Sequence, residues 1–480
     1  MNNPANDSAL LQRTFTGRRK ILLDYETVDV SNIFEVLQKA INIHEKNRDE
    51  IDYLYKYYKG DQPILYKHKL YREEINHKVL SNHANEIVSF KDGYFIGEPV
   101  QYVSVGEVTD LDPLNTLNDW MRDCDKASVD QEIVNWFHIC GTAYRITNSR
   151  KDPGREHKEA PFYTYCLDPR DTFVVYSSHV IGEPAIMCVK YRALEDGTFV
   201  YSCYTPREYF EIVGNFPKAS IVKRETNYLF DLPIVEYPLN NARLGSFEIC
   251  LTLLDALNAL DSDRTDAVSQ FVESIMLFHN VDVDDDVLRK VKELGALAYA
   301  DVDPNRKGDV KYITAELNQT QTQTLANHLY DTILTICGMP NRNMNATSTS
   351  DTGASVVLRN GWSDAEARAK DTELMFRKSE KQFLRLVLKI SNEIDPLGLS
   401  LTDIAVRFTR RSYENIATKA NVLSALMGKI PPLTAYTASG MFVDPQAEYE
   451  EYRRWKAENA EEGNAVSKEN ATGTKEIQSE

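Results

Sequence analysis

Residues 245–276 read GSFEICLTLLDALNALDSDRTDAVSQFVESIM, and residues 324–337 read TLANHLYDTILTIC. In the first run Ile249, Leu253, Leu257, Leu260, Arg264, Val268, Phe271 and Ile275 recur at spacings of three and four, the repeat of one helix face. The opposite side carries Glu248, Asp255, Asp263, Asp266 and Glu273. The second run is stopped by Gly338 and Pro340. A small insertion, from about Leu277 to Leu317, separates the two. The polar run NRNMNATSTSDTG (341–353) follows, then a proline-free helix from about Ser355 to Asn392. Its stripe is Leu358, Trp362, Ala365, Ala369, Phe376, Phe383, Val387 and Ile390. Asp364 to Arg368, Glu366 to Lys370 and Glu373 to Arg377 are acid-before-base pairs one turn apart. Such a helix spans roughly 55 Å, and Gly361 is expected to permit a kink. Nothing in this arrangement reads as a catalytic centre. It reads as a frame that places one loop.

Composition bounds the rest of the chain. The chain has 480 residues, a hydrophobic fraction of 42% and a net charge of −17. That length suggests about three domains, and that apolar content suffices for a core. The acidic balance argues against a broad grip on nucleic acid or anionic membrane. It still suits a wall that a polyanion must pass without sticking. No apolar run is long enough for a transmembrane helix, and the first twenty residues lack a signal peptide's apolar region. The seven cysteines form no CxxC pair and read as reduced, mostly buried thiols.

Toward the N-terminus, residues 1–30 read as a partly ordered arm with a basic patch at Arg18, Arg19 and Lys20. A helix is expected from about Ser31 to Lys59, with Ile33, Leu37, Ile41 and His44 on one face and Gly60 at its end. Another is centred on Ala84, Ile87 and Val88, with Leu80 in its stripe, and Gly93 and Gly97 frame a bend before the strand PVQYVSV. Two further helices cover PLNTLNDWMRDCD and SVDQEIVNWFHICGTA, the second capped by Ser128. From about 143 to 237 the pattern has period two, an antiparallel β-rich region, after which Pro233 and Pro238 introduce the long helix. LTDIAVRFTRR reads as a return strand. Three short helices follow, broken by Gly428, Pro431, Pro432, Asp444 and Pro445, before a polar tail expected to be disordered from about residue 458.

The sequence carries no recognisable catalytic or ligand-binding motif. The chain has no phosphate-binding GxxxxGK[ST] loop, GxGxxG, HExxH or GxSxG, and its histidines show no ligand spacing. The run DVDDDVLRKVKE (282–293) places Asp282, Asp284, Asp286 and Glu293 at calcium-loop positions, but Val287 stands where the turn needs glycine. A surface helix with acids at its N-terminus explains it better. Asp168 and Asp171, in LDPRD, read as a turn between strands. No metal site and no cofactor are expected.

Several motifs, in order, then carry a resemblance. YYKGDQPILY (57–66), NHANEIVSFKDGYFIGEPVQY (82–102), ICGTAYRI (139–146), LDPRDTFVVY (167–176), YTPREYF (204–210) and LPIVEYPLNNARLGSFE (232–248) resemble the SPP1-type phage portal proteins. KANVLSALMGKIPPLTAYTASGMFVDPQAEYEEYRRW (419–455) resembles that family's closing helices. The resemblance covers about residues 31 to 457 and implies an α+β, mainly helical chain with an α/β wing, a helical stem, a small α/β clip and a helical crown. It implies a wing over 31–244, stem helices over 245–276 and 319–338, a clip over 277–318 and a tunnel loop over 339–354. The long wing helix and return strand then occupy 355–411, the crown 412–457 and the tail 458–480.

The family forms a dodecameric ring around an axial channel at the unique vertex of a tailed-phage head. By that resemblance, Asn341, Arg342, Asn343 and Asn345 contact double-stranded DNA in transit, and Asp255, Asp263 and Asp266 are candidates to line the channel. Asp284, Asp285, Asp286 and Arg289 are candidates to dock the motor, the terminase large subunit. The scaffold, the major capsid protein and a head-completion adaptor are further implied partners, with no membrane contact. The implied location is the virion, after assembly in the host cytoplasm, and the implied role is mechanical, not enzymatic. The alternatives are another head or connector protein, or a metal-dependent DNA-processing enzyme.

Overall fold

The structure is a computed structural model, which describes residues 16–70, 73–105, 112–150, 155–272, 275–279, 309–313, 319–341, 361–408, 416–442, 445 and 448–456. The period-two region resolves into two sheets. One has the order β1 (Ile21–Leu23), β5 (Thr172–Ser177), β6 (Ala185–Ala193), β7 (Phe199–Tyr204), β8 (Glu208–Val213), β9 (Ser220–Thr226). Its neighbours are antiparallel except β1, which runs parallel to β5 with Ile21 opposite Val175. The other has the order β10 (Ile234–Pro238), β3 (Thr142–Ser149), β4 (Phe162–Leu167) and is antiparallel throughout. The fold is mixed α+β.

Two departures from the expected pattern lie in these sheets. Residues 16–23 are not a loose arm: β1 completes a sheet, and Arg18 is 4% exposed between Glu50 (3.0 Å) and Glu248 (2.5 Å). Pro233 and Pro238 do not lead into a helix. They bracket β10, whose Glu236 pairs with Tyr144 across the ladder.

The chain divides into two compact units. The larger comprises residues 15–55, 87–248 and 338–480. In it, Ile33, Val36, Leu37 and Ala40 of helix α1 (Ile33–Tyr58) pack on Phe173, Met187 and Phe210 of the six-stranded sheet. A second core lies on the three-stranded sheet. There α3 (Asp112–Asp123), α4 (Lys126–Cys140) and the long α7 (Trp362–Ile394) bury Trp120, Phe137, Phe376, Phe383 and Val387 against Phe162, Val235 and Tyr237. Each such apolar side chain contributes about 1.5–3 kcal/mol of burial. Strand β2 (Gln101–Ser104) pairs antiparallel with the return strand β13 (Ile404–Arg407). Helices α8 (Ile416–Leu426) and α9 (Pro432–Ser439) and a helical run over 448–456 follow.

Helix boundaries differ from the expected ones in instructive ways. Helix α2 (His83–Phe95) runs through Gly93, so the bend comes only after Phe95. Helix α4 starts at Lys126 with Asp125 before it, so Ser128 lies inside the helix instead of capping it. Lys126 is drawn in because Asp130 (2.5 Å) and Glu380 (2.8 Å) both hold its ammonium. Gly361 does not kink a continuous helix. Its φ of +81° is incompatible with one, and α7 begins at the next residue. The stripe from Ala365 to Ile390 is buried as expected, and Glu366–Lys370 and Glu373–Arg377 pair at 3.1 Å.

The smaller unit comprises residues 1–14, 56–86 and 249–337. Its frame is a pair of packed helices, α5 (Leu251–Val272) and α6 (Gln319–Cys337). Helix α5 is shorter than its apolar repeat suggests. Ile275 and Met276 instead open strand β11 (Ile275–His279), which pairs with β12 (Asp309–Ile313). The apolar residues that continue a helical stripe here serve equally well on a strand once a partner is present.

Candidate functional site

The polar loop is framed at both roots, within the larger unit. At one root Gly338 takes φ +65°, and a Cβ there would lie 2.3 Å from Arg368 Cδ, so the Arg368 side chain lies across the turn. Met339 and Pro340 are buried behind it. At the other root Gly361 lies beside Met339 and Pro340, its Cβ position 3.8 Å from the Met339 carbonyl oxygen and from Pro340 Cα. The described residues on either side, Met339 to Asn341 and Gly361, therefore lie close together. Trp362 then packs against Phe90 and Tyr94, ring centroids 5.9 and 6.0 Å away, and the Tyr94 hydroxyl donates to Glu366 at 3.3 Å. Asn341 is half-buried at the root. Arg342, Asn343 and Asn345 lie outside the described residues.

The acidic side of α5 is not an open face. Asp255 accepts a hydrogen bond from the Tyr57 hydroxyl at 2.8 Å, and burial raises its carboxyl above the usual range despite that bond. Asp263 holds Lys67 at 2.6 Å while 63% of its side chain stays exposed. Asp266 is 1% exposed. It accepts from the His77 amide (2.7 Å), His77 Nδ1 (2.9 Å) and Lys69, and although burial opposes ionisation these donors bring its carboxyl down to about 2. Asn258 and Ser262 continue this face, accepting from the amides of Ser81 (2.9 Å) and Val79 (3.0 Å). One side of α5 is thus a docking strip for the segment 57–81. The residues of α5 left exposed include Thr252, Ala256, Asp263 and Val268.

Sequence reasoning missed a buried charge network in the larger unit. Lys126, Asp130, Arg145 and Glu380 are all 2% exposed or less. Arg145 pairs with Asp130 and stands over the Phe383 ring at 4.4 Å. Glu380 accepts from Tyr237 at 2.8 Å, from Tyr102, and from Lys126. Two positive and two negative charges cancel. They tie α4 and β3 to α7 in one register. No sequence signal marks them, because charged residues sit on surfaces by default.

The remaining candidates resolve simply. Asp168 is held by Arg170, Nη2 at 2.6 Å, and the Asp171 amide donates to the Asp168 carbonyl at 3.2 Å, which is a turn. Asp284, Asp285, Asp286 and Arg289, with the acidic run 282–293, lie outside the described residues. Among the described residues no group of three His, Cys, Asp or Glu side chains is arranged to hold a metal ion, and no helix is long and apolar enough to cross a membrane. The cysteines form no disulfide, and five of the seven are buried.

In the larger unit a long helix is bolted internally by buried charges, and in the smaller unit two helices pack as a frame. No individual curated protein matches the chain. Over residues 37–465, nearly its whole length, the chain matches the family of phage portal proteins of the SPP1 Gp6-like type, and it belongs to that family.

Proposed function

We propose that this chain is the subunit of a ring, dodecameric in the assembled head, that forms the DNA channel at the unique capsid vertex. The observation that carries this reading furthest is the rooted segment. Gly361 lies beside Met339 and Pro340, so the flanks of the tunnel loop, 339–354, form a fixed base from which it would reach into a lumen. Asn341, Arg342, Asn343 and Asn345 supply short polar side chains and one cation. They suit brief contact with phosphates, since each lasting phosphate contact adds drag and salt-sensitive affinity. In this reading Asp263, still exposed, belongs to the channel wall, whereas Asp255 and Asp266 act as internal struts.

The terminase large subunit docks on the segment between β11 and β12, through Asp284, Asp285, Asp286 and Arg289, and hydrolyses ATP itself. This chain catalyses nothing and needs no cofactor. Scaffold and major capsid protein meet the ring during assembly in the host cytoplasm. A head-completion adaptor joins it afterwards, and DNA leaves by the same channel at ejection.

Negative-stain imaging of the purified protein tests the reading: rings with an axial hole are expected, and a persistent monomer under assembly conditions overturns it. Replacing Asn341–Ser350 with a shorter Gly-Ser linker should leave rings intact and impair packaging. Normal packaging by that variant would remove the loop's assigned role.

A further inference from the structure

A chain with net charge −17 repels its own copies, so a ring of such chains needs local complementarity between two different flanks. The larger unit has such flanks. The three-stranded sheet runs β10-β3-β4. Helix α7 packs on the β10 side, and α4 packs toward β3 and β4. On the β10 side, Lys378, Lys381, Arg385 and Lys389 recur at three and four residues, a basic ridge along one face of α7. Arg385 and Lys389 share Asp231, at 3.1 and 2.7 Å. Lys378 and Lys381 are exposed and have no carboxylate partner among the described residues. Beside the ridge lies a cleft of about 480 Å³, lined by Lys378 and Gln382 of α7, by β10 and by the β5–β6 turn. Ile181, on that turn, is fully exposed.

The α4 side has the opposite character. Asp125, at the start of α4, and Glu132, on its outer face, are exposed and without a cationic partner among the described residues. Tyr165 on β4, the sheet's other edge, is 55% exposed. One flank thus offers free cations, a recess and an aliphatic rim. The other offers free carboxylates and a protruding aromatic side chain.

We propose that these flanks are the two halves of a head-to-tail contact between copies of this chain, Lys378 and Lys381 of one copy facing Asp125 and Glu132 of the next. The contact rests on the ring reading above and names the surfaces that close the ring. Heterologous contacts of this kind generate rings when the rotation closes. Charges at their rim select the partner and register more than they add affinity, so the contact is salt-sensitive.

The test is a charge swap at exposed positions, with circular dichroism confirming folded protein. K378E/K381E and D125K/E132K are each expected to lower ring yield at low salt by roughly tenfold. The four-residue combination, which restores opposite charges, is expected to recover most of it. Ring assembly by both reversals with wild-type yield and salt dependence overturns the proposal while leaving the ring reading intact. So does a combined variant that stays as defective as either half. If K378E/K381E assembles normally but retains less DNA, the ridge meets nucleic acid and the subunit contact is refuted. If the wild-type chain forms no ring, the ring reading itself fails and the contact falls with it.

Discussion

Gly361 lies against Pro340: a Cβ on Gly361 would stand 3.8 Å from Pro340 Cα, ordinary contact distance. Space is therefore not what requires glycine here. Its φ of +81° is the requirement, since that conformation places a Cβ close to the following carbonyl. Gly361→Ala should cost about 1–2 kcal/mol, and Gly361→Asn distinctly less, because Asn tolerates the left-handed region. Chemical denaturation of the purified variants measures both. Equal losses for Ala and Asn would mean that contact, not backbone conformation, governs the root.

Glu380 is fully buried, and burial alone would raise its carboxyl, yet Lys126 and Arg145 hold it down to about 2. In the unfolded chain it titrates near 4.5. The folded state therefore binds fewer protons between these values. The stability from this group is full above about pH 4.5 and is lost as pH falls toward 2. Glu380→Gln keeps the shape but leaves two cations with one carboxylate, and should cost about 3–5 kcal/mol at neutral pH. It should also flatten the acid limb of a stability–pH curve in that window. A variant with an unchanged acid limb would show that Glu380 does not carry it.

Much of this fold is legible in the residues. The stripes of α1 and α7 and the apolar runs of β5 to β8 follow directly from where apolar side chains recur. What escapes is whatever depends on a distant partner. Strand β1 is three residues long and is defined by β5, some 150 residues on. Strand β9 is exposed along nearly its whole length, so no buried face marks it. The acids of α5 look like a water-facing side until Lys67, Lys69 and His77 arrive from nearly 200 residues upstream. The Lys126–Glu380 pair is invisible for the same reason. One loop end is legible because Gly338 and Pro340 act locally, whereas Gly361, set in a proline-free apolar stripe, reads as a kink until its positive φ is seen.

His44 gives a second, separate acid limb. It packs against Phe173 and Tyr191, and its Nε2 donates to the Arg170 carbonyl at 2.9 Å. Burial pushes it down to about 4, from an ordinary value of 6.5. The folded state thus keeps it neutral while the unfolded chain protonates. Its contribution is full above about pH 6.5 and is lost as pH falls to 4, about 3 kcal/mol across the window. His44→Gln should remove the slope between pH 6.5 and 4 without touching the lower limb assigned to Glu380. Thermal melts at closely spaced pH values separate the two, and a slope that survives the substitution would assign it to other groups.

The run 239–248 is clamped to the end of α4 by close backbone approach. A Cβ on Gly245 would lie 2.3 Å from the Ile139 carbonyl oxygen, and one on Gly141 would lie 2.0 Å from that of Arg243. The Ser246 amide donates to His138 at 2.7 Å, and Gly245 donates to Glu248, which also holds Arg18. Backbone atoms fixed by hydrogen bonds on both sides cannot give way as a flexible side chain can. Gly245→Ala should therefore cost about 3 kcal/mol or more. Gly93, inside α2, has nothing within 4 Å of its Cβ position. Gly93→Ala should instead stabilise by about 0.5–1 kcal/mol, since alanine loses less backbone freedom in a helix. Parallel melts of the two variants give opposite signs if close approach is what selects glycine at 245. A mild loss at Gly245 would mean that the clamp yields, and the run that leads into α5 would then be looser than its hydrogen bonds imply.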